Sequence, residues 1–131
     1  MVVAGRNEKL KRALETAAGP RAVVLGFTSE IDEWMAVADL LVTKPGGLTT
    51  SEALARGLPM VLVHPIPGQE QRNADALLEA GAAVRANNVE ALAWKVDALL
   101  GEPGRLDAMR AAARKAARPD AARKVARWAL G

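Results

Sequence analysis

Short apolar runs alternate along this chain with stretches whose apolar residues recur three and four apart. Val2-Val3-Ala4, Arg21 to Phe27, Asp39 to Thr43, Pro59 to His64 and Ala82 to Arg85 read as strands. Glu8 to Ala18, Glu30 to Ala38, Leu48 to Arg56 and Glu70 to Ala80 read as the helices between them. The punctuation agrees. Asn7 and Asn88 stand where helix N-caps are expected, and Gly19-Pro20, Gly57 and Gly81 stand where helices stop. After the fifth strand the pattern is helical only. Val89 to Leu100, Arg105 to Ala117 and Asp120 to Leu130 are separated by Glu102-Pro103-Gly104 and Pro119. Strand-helix alternation predicts right-handed crossovers and an α/β fold, a parallel sheet flanked by helices, with a helical C-terminal extension. The nearly unbroken apolar run Pro59 to His64 predicts a strand buried on both faces.

Ligands of such sheets bind at the carboxyl ends of the strands. Three loops lie there: Phe27-Thr28, Pro45-Gly46-Gly47 and Pro65 to Gln69. Gly46 and Gly47 join a strand to a helix, where free N–H groups and the helix dipole favour a phosphate, with Leu48 and Thr49 continuing the donor row. The other reading is a tight turn that needs φ > 0. Glu52, one turn into the helix, is either an acceptor for a ribose diol or the partner of Thr49 in a Thr-x-x-Glu capping box. Gln69 and Glu70 follow the Pro67-Gly68 turn and can read sugar hydroxyls; Glu70 can equally complement a helix dipole. Phe27 on its own reads as core filler at a strand end. His64, the only histidine, reads as a strand-end residue with a satisfied hydrogen bond and stays outside the catalytic set, which is empty.

Composition narrows the chemistry. A chain of 131 residues fits one domain. Half of its residues are apolar, yet it has one Phe, three Trp and no Tyr, so Ala, Leu and Val fill the core. Trp34, Trp94 and Trp128 fall at helical positions and read as packing. Without Cys there is no disulfide, and a lone His makes a zinc site unexpected. No run approaches a membrane span and no signal peptide is visible. Charge is uneven: Met1 to Gly104 carries a net −3 and Arg105 to Gly131 a net +6. A basic end suits an anionic membrane surface, or simply a solvated helix face; the scarcity of aromatics argues against nucleic acid. In the last helix Ala122, Val125, Ala126 and Ala129 form an apolar stripe opposite Arg123, Lys124 and Arg127.

Lys44-Pro45-Gly46-Gly47, Ser51-Glu52-Ala53, Gly57-Leu58-Pro59, Pro67-Gly68-Gln69-Glu70 and Asn73-Ala74 give the chain a family resemblance from about Val2 to Gly81. It resembles the donor-binding half of inverting glycosyltransferases with two Rossmann-like domains, the GT-B fold. The monogalactosyldiacylglycerol synthases and processive diacylglycerol glucosyltransferases are the nearer relatives. The N-acetylglucosaminyltransferase of the last lipid-linked peptidoglycan precursor is more distant. The resemblance implies that residues 1–131 are a UDP-sugar-binding domain, a fragment lacking the first strand and the acceptor domain. It implies a UDP-hexose donor, no metal or other cofactor, and a diacylglycerol-type acceptor. It places uracil near Phe27 and Thr28, ribose at Glu52 and hexose at Gln69 and Glu70. The partner is an acceptor domain or chain that supplies the general base and, in such relatives, receives the final helix. The expected location is the cytoplasm, at the inner face of the membrane. A non-catalytic nucleotide-sugar module, half of a split enzyme and a sugar epimerase domain are the alternatives.

Overall fold

The computed structural model describes residues 1–131. Its elements follow the predicted order: β1 (Val2–Val3), α1 (Glu8–Ala17), β2 (Val24–Leu25), α2 (Ile31–Val37), β3 (Leu41–Thr43), α3 (Gly47–Arg56), β4 (Met60–Val63), α4 (Gln69–Glu79), β5 (Ala83–Ala86), α5 (Val89–Gly101), α6 (Arg105–Ala116) and α7 (Ala121–Leu130). All strand pairs are parallel, so the α/β class holds. The ladder is divided, however, into a two-stranded sheet and a three-stranded one. The chain correspondingly forms two compact units, Met1–Trp34 and Met35–Gly131.

In the first unit β1 pairs with β2 through Val2↔Val24 and Val3↔Leu25. The strand expected over Arg21 to Phe27 is much shorter. Ala22 N–H turns back to the Gly19 carbonyl at 2.9 Å, which ties the start of the segment to the preceding turn and leaves two ladder residues. Asn7 caps α1 as expected, its Oδ1 accepting from Leu10 N–H at 2.9 Å. No residue of this unit is fully buried.

The second unit holds the core. β4 lies between β3 and β5, with Leu41↔Met60 and Met60↔Ala83 in register. Met60, Val61 and Leu62 are completely buried, as the apolar run predicts. Val61, Ala86, Leu99 and Met109 form one cluster, flanked by Leu40, Val63, Val84, Leu92, Val96 and Leu106. α5 thus packs on β4 and β5, and α6 on α5 and α3. Gly57 ends α3 at φ 66°, its N–H reaching the carbonyls of Ala53 and Leu54. A Cβ there would lie 2.7 Å from Nε of Arg114, so the same glycine lets α6 close on α3. Arg110 ties α6 to the start of β3 through Asp39 at 2.8 Å. Past α6, Arg118 Nη1 donates to the Ala117 carbonyl at 2.8 Å. α7 follows, with Lys124 paired to Asp120 at 3.0 Å; that hydrogen bond holds the Asp120 carboxyl below the usual carboxylate range.

Two tryptophans depart from the packing expectation. Trp94 is 67% exposed and Trp128 87% exposed. Trp94 sits on the outer side of α5, whose inner face Leu92, Val96 and Leu99 already fill, and Trp128 lies on α7, which buries no residue at all.

Candidate functional site

β3 and β4 are neighbours in one parallel sheet, so the loops after them open on the same edge. The β3–α3 loop is Lys44 to Gly46 and the β4–α4 loop is His64 to Gly68. A side chain joins them: Asn73 Nδ2, one turn into α4, donates to the Pro45 carbonyl at 3.0 Å. Seven of the expected residues, Gly46, Gly47, Leu48, Thr49, Glu52, Gln69 and Glu70, therefore stand on two loops and two helix starts held to each other.

Gly46 is the N-cap of α3 at φ −68° and ψ 140°, with no side-chain cap. Gly47 likewise lacks a positive φ. The need for φ > 0 at this pair is therefore excluded: any residue adopts these angles. A Cβ on Gly46 would meet nothing within 4 Å, and one on Gly47 only Asn73 Nδ2 at 3.9 Å. The pair keeps a space open instead of easing a bend. Beneath that space the N–H groups of Gly47, Leu48 and Thr49 have no intrahelical acceptor, since the first helix bond runs from Thr50 N–H to the Gly46 carbonyl at 3.0 Å. One expected donor is missing. Gly46 N–H is spent on the Lys44 carbonyl at 2.9 Å. The hydroxyls of Thr50 and Ser51 also point into the helix, donating to the Gly46 and Gly47 carbonyls at 2.8 and 2.7 Å.

With the N-cap at Gly46, Thr49 lies inside α3 and cannot cap it, so the capping-box reading of Glu52 is excluded as well. Glu52 shares a helix face with Leu48 and Thr49, about 4.5–6 Å further along the axis. It is exposed and its carboxylate has no partner in the chain.

Gly68 caps α4 at φ 102°, a conformation that needs glycine. The N–H groups of Gln69, Glu70 and Gln71 then open α4 without intrahelical acceptors. Glu70 turns back, and its Oε2 accepts from Ile66 N–H at 2.8 Å. The bond shapes the loop and leaves the second carboxylate oxygen without a donor. Gln69 is exposed and unpaired.

Phe27 and Thr28 belong to the first unit, directly after β2. Phe27 is 64% exposed, so it is not core filler. The Arg6 guanidinium lies over its ring, 4.6 Å from the centroid. Thr28 Oγ1 accepts from Glu30 N–H at 3.0 Å at the start of α2.

Sequence reasoning missed several features here. Asn73 was visible only as part of a motif, and its role as a loop tie depends on how α4 approaches β3. Arg6 stacks on Phe27 through a contact distant in sequence. His64 sits at φ 43°, the only non-glycine residue with positive φ, and its ring makes no hydrogen bond in the chain. The satisfied hydrogen bond expected of it is absent because the loop turns sharply there, carrying the exposed ring away from the ladder.

Comparison with known proteins adds a consistent set of likenesses. A family model described as "Glycosyl transferases group 1" matches residues 1–116. The processive diacylglycerol beta-glucosyltransferase of Bacillus subtilis (strain 168) is 41% identical over 113 residues, covering 84% of this chain and 30% of that protein. Its namesake in Staphylococcus saprophyticus is 41% identical over 111 residues, covering 83% of this chain and 28% of that protein. Among solved structures, MurG of Acinetobacter baumannii superposes with a TM-score of 0.76 at 27% identity, over 90% of this chain and 37% of MurG. The chain thus spans under a third of the length of the two diacylglycerol glucosyltransferases.

Proposed function

The chain belongs to the glycosyl transferases group 1 family, and from that premise we propose that it is the donor-binding domain of a UDP-hexose-dependent transferase acting on a diacylglycerol-type lipid with inversion. The observation that carries this reading is the open space over Gly46, above three helix N–H groups that nothing in the chain satisfies. A diphosphate fits that description: Gly47, Leu48 and Thr49 donate from the backbone and the dipole of α3 adds to them. Glu52, unpartnered on the same helix face, accepts from the ribose diol. Gln69 and the free oxygen of Glu70 face the hexose.

In this reading the donor domain stabilises the leaving nucleoside diphosphate through fixed dipoles and needs no divalent metal. The acceptor hydroxyl attacks the anomeric carbon in a single displacement, and the base that removes its proton comes from an N-terminal half, as domain or separate chain. The share of the relatives' length that this chain spans supports such a partner. The exposed Val2 and Val3 side chains, unusual for a parallel sheet, support a covering element there. Work at the inner face of the membrane, where the acceptor lipid resides, completes the proposal. No helix here is long and apolar enough to cross a membrane.

Calorimetry with UDP in EDTA tests the reading. Weak binding without metal is expected. No heat at millimolar UDP, or binding that requires magnesium, would sink it.

A further inference from the structure

Helix α4 opens on Gly68, which has no side chain to cap it. Its first two turns are held instead from two sides. On one side Asn73 reaches the Pro45 carbonyl. Gln71 and Asp75, four residues apart, share the opposite face of the helix. There Gln71 Nε2 donates to Asp75 Oδ1 at 2.8 Å, and Arg85 Nη2 donates to the same oxygen at 3.1 Å. Arg85 stands on β5 in register with Leu62, one residue before the strand ends. It therefore lies at the carboxyl edge of the sheet, where α4 begins. Stability explains this arginine poorly. Its Nε is buried with no hydrogen-bond partner, and such a donor costs free energy. The ion pair offsets little of that cost, because the Asp75 side chain is 54% exposed and water screens it. An aliphatic residue beside Leu62 would suit the pleated surface better.

We propose that Arg85 is a positioning residue for the sugar end of the donor: through Asp75 and Gln71 it fixes the first two turns of α4, and with them the placement of Gln69 and Glu70. The inference rests on the donor-site reading of those two residues and adds a residue that reading leaves out. Arg85 does not touch the sugar. It acts through the Asp75 carboxylate and the backbone of the helix start. Hydrogen bonds to a hydroxyl weaken steeply as distance and angle depart from the optimum, so a small rotation of α4 is enough to lose one. The Asn73 tie stays in place when Arg85 is removed, so the helix start loosens without detaching. Under the same reading the diphosphate and the ribose lie on α3, outside this chain of bonds, so their binding should not depend on Arg85.

The test compares wild type with Arg85→Leu and Arg85→Lys. UDP, UDP-glucose and UDP-galactose are titrated by calorimetry, and amide exchange is followed along α4. Arg85→Leu should weaken the bound UDP-hexose about fivefold, the loss of one neutral hydrogen bond, and leave UDP unchanged. The amides of Arg72 to Asp75 should exchange faster while those of β4 do not. Melting should hold or rise, since the unpaired donor is gone and Asp75 is left in water. Arg85→Lys keeps a cation within reach of Asp75 and should restore the UDP-hexose affinity. Unchanged UDP-hexose affinity with unchanged exchange would overturn the role of Arg85 and leave the donor site standing. An equal loss of UDP and UDP-hexose with lower melting would also overturn it, since Arg85 would then serve the fold as a whole. Wild type that binds none of the three ligands would overturn the donor-site reading and this role with it.

Discussion

A glycine can be required by its own backbone or by what must pass close to it, and the proposed function gives this chain one of each. Gly57 is of the first kind, at φ 66° with Arg114 against it. Gly57→Ala should cost about 1–2 kcal/mol for the left-handed backbone, plus the displacement of Arg114, and lower melting by several degrees. Gly46 has an ordinary φ and empty space where a Cβ would go, and only under the proposed function is it of the second kind. Gly46→Ala should leave melting unaltered and weaken UDP binding measured by calorimetry; an unchanged affinity would show that no phosphate approaches there. Glu52 allows a similar separation. A carboxylate accepting from a diol makes charge-assisted bonds worth about 1.5–3 kcal/mol. Glu52→Gln should therefore weaken UDP more than tenfold with no change in melting. If melting falls while affinity holds, the side chain supports α3 and not the ligand.

At the scale of elements, stability should be as uneven as burial. β4 is the central strand of its sheet, with Met60, Val61 and Leu62 fully buried. β1 and β2 pair over two residues each, and α7 buries nothing. Local opening is governed by such buried contacts. Amide hydrogen exchange in solution should therefore be slowest at Met60–Val63 and much faster in Ala121–Leu130 and in the β1–β2 pair. Protection in α7 equal to that of β4 would mean that α7 docks on its own unit in solution. Every helix and strand here was legible from periodicity and capping residues. The strand lengths were not, since a ladder ends where its neighbour ends: Arg21 to Phe27 is strand-like throughout, yet only Val24–Leu25 finds a partner.

For the whole molecule the expected limit is chemical. Under the proposed function donor binding uses loops and helix starts of this chain, whereas transfer needs a base placed against an acceptor. The chain alone should release no detectable glucosyl- or galactosyl-diacylglycerol from the UDP-hexose in an assay with lipid acceptor. Turnover by the isolated chain would refute the two-part reading. It would direct attention to His64, exposed at a strained strand end beside the donor loops.

The sequence by itself determined the class of fold, the order of twelve elements and the strand ends where a ligand would be met. Those properties follow from local periods and from residues such as Gly57 and Gly68, whose conformational demands act within a few positions. It also contained both meanings of Gly46-Gly47 and of Glu52, with nothing local to separate them. Tertiary structure removed the positive-φ turn and the capping box from among them. The N-cap fell at Gly46, which removed Thr49 from capping and left Glu52 free. Asn73 reached Pro45 and drew two loops together, and Gly46 N–H turned inward out of the donor row. The exposed places of Phe27, Trp94 and Trp128 were likewise decided by packing, because an apolar side chain is buried only if a neighbouring element arrives to cover it.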